Sequence, residues 1–91
     1  MTLRIFRYEV PVDDQWHEHE LLGDPIAVAC RDATRVEFWA IHDDETPLPP
    51  RRRSFMVVGT GHPLPQEWLH HHGTAVVPGG LLVWHLLERT S

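Results

Sequence analysis

The sequence predicts a single all-β domain, an antiparallel sandwich or small barrel of about six or seven short strands, and three observations carry that prediction. Segments alternating apolar and polar residues recur at short spacing. Proline, glycine and aspartate punctuate them at nearly every boundary. No 3.6-residue apolar pattern runs beyond two turns. Ninety-one residues allow one core and one domain, spanning 1–91. A chain this short buries about 60–65% of the surface its unfolded form exposes.

Each strand has its own warrant. Thr2 to Val10 alternates and is closed by Pro11 and Asp13-Asp14. Trp16 to Leu22 is more polar and ends at Gly23-Asp24-Pro25. Ile26 to Arg31 and Arg35 to His42 flank Asp32-Ala33-Thr34, a connection short enough for a hairpin. Three acids and three prolines make 43–50 a surface loop. Arg52 to Val58 is the fifth strand, and Pro65 to Leu69 suits at most one helical turn begun by proline. His72 to Val77 and Leu81 to Glu88 complete the set. Between them, Val77-Pro78-Gly79-Gly80 fits a type II turn, with Pro then Gly at its central positions. Trp39, Trp84, Phe38, Phe55, Val57 and Leu82 are the expected core.

Composition narrows the function classes. A net charge of -5 argues against a general nucleic-acid binder. The lone cysteine, Cys30, precludes an internal disulfide and reads as a small buried hydrophobe. No apolar stretch is long enough to span a bilayer as a helix, and the N-terminus enters a strand directly, so no membrane role and a cytoplasmic location are expected.

Chemistry concentrates where Phe55-Met56-Val57-Val58 runs into Gly59-Thr60-Gly61-His62-Pro63. Two glycines one residue apart let the backbone turn as residues with a Cβ tolerate poorly, and consecutive amides there suit an anion. Gly59, Thr60, Gly61 and His62 are therefore the candidate ligand-binding residues, with a protonated imidazole as a further donor. Arg51 and Arg53 share a face of the same strand and bind phosphate well. They lie at its opposite end, so they would join the loop in one site only across a subunit contact.

Other constellations are thinner. His17 and His19 share a strand face and could supply two zinc ligands, with His62 or the His70-His71-His72 triplet as the third. The plainer reading is a polar edge strand facing water. Ser54 and Thr60 sit in no Gly-x-Ser-x-Gly elbow, and Glu18 and Glu20 face no evident cleft, so catalysis is not expected and no cofactor is implied.

Read together, Gly59-Thr60-Gly61-His62-Pro63, the Gly73-Thr74 strand and the Gly79-Gly80 to Trp84-His85 strand resemble a pattern found elsewhere. It belongs to a group of small uncharacterised proteins of tailed phages and actinobacterial prophages, a domain of unknown function. Ile5 to Val10 and Phe38-Trp39-Ala40 fit the same template, whereas the proline-rich 47–51 segment departs from it. The resemblance implies an accessory protein acting in the cytoplasm of a bacterial host. Such proteins often counter host defence, by sequestering a nucleotide signal or by binding a host protein. A non-catalytic binder of a small phosphorylated ligand is the leading expectation. A protein-interaction module, presenting Asp43-Asp44-Glu45 and the charged 17–20 strand, is the second. A zinc-dependent hydrolase is the third.

The first and last strands are apolar on both faces. One small fold has little material to cover both, so a homo-oligomer is expected. The most economical form is a two-fold dimer, with Phe6, Tyr8 and Leu86 as candidate anchors.

Overall fold

A computed structural model describes residues 2–90. Seven strands form two antiparallel sheets: β1 (Leu3–Pro11), β2 (His17–Leu21), β3 (Pro25–Asp32), β4 (Arg35–Asp43), β5 (Arg51–Gly59), β6 (Leu69–Val76) and β7 (Val83–Arg89). One sheet has the order β1-β4-β3 and the other β2-β5-β7-β6, facing each other as a sandwich. The all-β expectation holds, and most strands fall within two or three residues of the sequence reading. Pro65–Leu69 is not helical, however, and β6 already begins at Leu69.

Turn chemistry decides the hairpins. Asp32 accepts the Thr34 amide at 2.8 Å, while Asp32 pairs with Arg35 across a two-residue loop. At the β6–β7 hairpin, the Gly80 amide donates to Val77 O at 2.8 Å and Gly79 has φ +99°. That positive φ at the third position, after Pro78, is the predicted type II turn.

Alternation sends one face of each sheet into the core. Val10, Val36, Phe38 and Ala40 from the first sheet meet Leu21, Phe55, Val57, Trp84 and Leu86 from the second. Phe38 and Phe55 join the layers with ring centroids 4.8 Å apart, and Tyr8 stacks on Phe38 at 5.1 Å. Of the expected core, Trp39 is only half-buried on the outer face, and Leu82 is exposed because the strand starts one residue after it.

Two expected oligomer anchors point inward. Leu86 is fully buried and Tyr8 packs on Phe38, so neither reaches an outer face. Phe6 stacks on His42. The chain covers the outside of the second sheet itself: Trp16 and Leu69 pack on Met56, Val58 and Leu87. Large apolar residues left exposed by the first sheet are Leu3, Ile5, Phe6, Ile26 and Ile41.

Candidate functional site

The glycine loop follows directly from the end of β5. Gly59 is buried, and a Cβ there would lie 2.9 Å from Trp84 Cζ3 and 3.0 Å from His62 ring atoms. Only glycine lets the chain pass that close. Gly61 takes φ +86° with open space around it, so its requirement is conformational, not steric.

The loop's amides are mostly committed to the fold. Thr60 N–H donates to Val83 O at 3.2 Å, and His62 N–H donates to Gly59 O at 3.1 Å, closing a tight turn. Of the Thr60, Gly61 and His62 amides, at most Gly61 N–H is left to a ligand. The His62 ring folds back over Gly59. An amide nest is therefore not what this loop offers.

It offers the Thr60 hydroxyl instead. Thr60 Oγ1 lies 2.7 Å from His85 Nε2, and His85 Nδ1 lies 3.1 Å from both Thr74 Oγ1 and His71 Nε2. Thr74 Oγ1 is 3.3 Å from His71 Nε2. Strand register explains the meeting: Thr74 pairs with His85, which pairs with Val58 two residues before Thr60. Period-two alternation then puts these side chains on the outer face of the second sheet.

The heavy atoms fit a chain of hydrogen bonds with two directions. In one, Thr60 O–H donates to His85 Nε2, His85 Nδ1–H donates to Thr74, and Thr74 O–H donates to His71. In the other, His71 and His85 donate toward Thr60, whose O–H is then free to face outward. Hydroxyls and neutral imidazoles permit both directions, so the relay can present Thr60 as acceptor or donor.

Beside the relay lies an open recess of about 420 Å³. Val58, Leu64, Leu69 and Leu87 make its apolar walls, His71 and His85 its polar side, and Gly61 its rim. That combination of apolar wall and a few converging polar groups is typical of a small-molecule site.

Arg51 and Arg53 lie elsewhere. Six residue steps separate Arg53 from Gly59 along β5, about 20 Å at the rise of a strand. Arg53 is held by Glu88 through Nε at 2.6 Å and Nη2 at 2.7 Å, and Glu88 also accepts from His72 Nε2–H at 2.7 Å. Burial works to raise the Glu88 pKa, but the hydrogen bonds from Arg53 and His72 outweigh it and hold the carboxyl below its usual range. Burial pushes the His72 imidazole down, with Glu88 opposing in part.

The zinc reading fails on geometry. His17 Nε2 sits 2.8 Å from Asp13 Oδ1, and His19 Nε2 donates to Glu9 O at 2.9 Å while its ring packs on Tyr8 and Phe38. Both face inward, with Glu18 and Glu20 outside, so β2 does not turn its histidines to water as the plainer reading expected. Among the described residues no group of three or more His, Cys, Asp or Glu could hold a metal ion. His70, His71 and His72 diverge: His72 joins Glu88, His71 joins the relay, and the His70 ring lies 4.4 Å from His72. Ser54 accepts from Arg89 at 3.4 Å, far from the relay, and half-buried Cys30 has a thiol pKa raised by burial.

Sequence reading missed Thr74 and His85 as site residues and named His71, the third, only as a possible zinc ligand. The signal was present in the alternation of β6 and β7, and two of the three, Thr74 and His85, belong to the motif segments that carried the resemblance. The family model of a Domain of unknown function (DUF7352) matches residues 1–91. No curated protein and no solved structure matches the chain.

Proposed function

The chain belongs to the DUF7352 family, and we propose that it binds a small phosphorylated, nucleotide-type ligand at the glycine loop without transforming it. One observation carries this reading: the Thr60–His85–Thr74–His71 relay stands beside an apolar recess of about 420 Å³. The recess suits a flat base or a similar apolar body. With the relay directed outward, Thr60 O–H and Gly61 N–H donate to a phosphate oxygen. In a phage setting, which the sequence resemblance implies, such a protein sequesters a host nucleotide signal.

Thermal-shift screening of the intact chain against cyclic dinucleotides and ADP-ribose derivatives tests this. A ligand at a hundredfold excess over its dissociation constant stabilises by about 2.7 kcal/mol. In a domain of this size that raises Tm by roughly 10 °C or more. Absence of a shift with every nucleotide would overturn the reading.

A second reading, a protein-interaction module, is favoured by one feature. β2 is an edge strand of the second sheet, with Glu18 and Glu20 facing outward against Arg52. A partner pairing along it would bind less tightly as salt rises, and would be indifferent to Thr60 and His85.

A further inference from the structure

At the other end of β5 a cleft of about 510 Å³ gathers positive charge in an acidic protein. Arg51, Arg52, Arg53 and Arg89 line it with two acids, Asp24 and Glu88, while Glu18, Glu20 and Glu67 pair with Arg52 and Arg89 from outside the lining. Seven of the eight arginines have a carboxylate within 4.0 Å, among them Arg52 with Glu18, Arg53 with Glu88 and Arg89 with Glu67. Among the described residues, Arg51 is the arginine without one.

Arg53 is already oriented to bind. Its side chain is 10% exposed, and Glu88, braced by His72, grips it from behind in a two-pronged pair. Its solvent side is occupied by Asp24, 2.8 Å from Nη2 and itself 81% exposed. Asp24 itself stays in water, so it can give up the contact without leaving a buried carboxylate unpaired. Asp24 thus stands where an external oxyanion would sit. Arg51 and Arg53 alternate onto the same face of β5, about 7 Å apart, a span that one tetrahedral oxyanion with several acceptor oxygens bridges.

We propose that this cleft is a second ligand site, taking a phosphate monoester between Arg51 and Arg53 with displacement of Asp24. It is independent of the glycine-loop reading and lies at the opposite end of the strand.

An amide-correlated NMR titration of the full chain decides it, with inorganic phosphate and phenyl phosphate as probes at constant ionic strength and neutral pH. Both probes should shift the amides of residues 24 and 51–54. Arg51→Gln should weaken binding about tenfold, the scale of one lost charge-assisted contact, and Asp24→Asn should strengthen it several-fold. Both positions are exposed, so the fold tolerates the changes, and the shifts at residues 24 and 51–54 should be the same in Thr60→Val. Shifts from phenyl phosphate alone would mark the monoester as ligand, and equal shifts from both would mark its phosphate group as sufficient. No localised shifts, or binding unchanged in Arg51→Gln, would overturn the proposal.

Discussion

Thr60 and His85, twenty-five residues apart in the chain, meet at 2.7 Å through Oγ1 and Nε2. The contact ties the glycine loop to the centre of the second sheet. It also converts a turn that offers few amides into one that offers a hydroxyl of adjustable direction.

Thr60→Val keeps the shape of the side chain and removes the hydroxyl. Thr60 is exposed, so the variant should lose about 1 kcal/mol or less of stability, the net worth of an ordinary hydrogen bond. Nucleotide-induced thermal shifts should disappear with it. A variant that retained the full shift would exclude the relay from binding.

The two loop glycines should fail for different reasons. Gly59→Ala places a methyl 2.9 Å from Trp84 Cζ3, and overpacking of this kind costs about 1–3 kcal/mol. Gly61→Ala meets nothing within 4 Å, yet its φ of +86° costs about 1–2 kcal/mol in a residue with a Cβ. Urea denaturation measures both, and loosened Trp84 fluorescence should accompany the first alone.

Acid should destabilise the protein through Glu88 and His72. The Glu88 carboxyl is held below its unfolded value, so its contribution is complete above a pH of about 4.3 and lost as pH falls through the folded value. The buried His72 also protonates at a lower pH than in the unfolded chain. Its contribution is complete above about 6.5 and declines as pH falls toward the folded value. Tm should therefore fall in two stages below neutrality. Glu88→Gln should remove the lower stage and cost about 3–5 kcal/mol at pH 7, because it leaves the buried Arg53 charge with Asp24 alone. A Tm profile flat to pH 3 would contradict both assignments.

We propose a two-fold homodimer through the outer face of the β1-β4-β3 sheet. There Ile5 lies directly opposite Ile41, with Leu3 beside them, and Ile5 is 62% exposed. A stable interface buries about 1,200–2,000 Å² in total, the scale of one sheet face on its copy. Light scattering should give twice the 10.5 kDa of one chain, and Ile5→Arg should give the single-chain mass. A monodisperse wild-type species at 10.5 kDa would refute this contact.

Much of the fold was legible because its signals are local. Alternation at 3–10 and 35–42, the Asp32 hairpin and the Pro78-Gly79 turn depend on residues next to one another, and each formed as expected. Leu82 and Pro65–Leu69 were misread at the ends of elements, where the tertiary ladder decides which residue pairs first. Leu86 and Tyr8 were misplaced because alternation gives two faces without saying which is inside.

By itself, the sequence determined that this chain is a small antiparallel β protein and that something unusual happens at Gly59–His62, since periodicity and glycine stereochemistry need no partner. Only the tertiary structure decided what that loop holds. Register between β5, β7 and β6 brought Thr60, His85, Thr74 and His71 together, and it committed the Thr60 and His62 amides to the fold. It also set Arg51 and Arg53 at the far end of the same strand. Pairings across twenty or more residues depend on how whole strands align, and no spacing along the chain records that alignment.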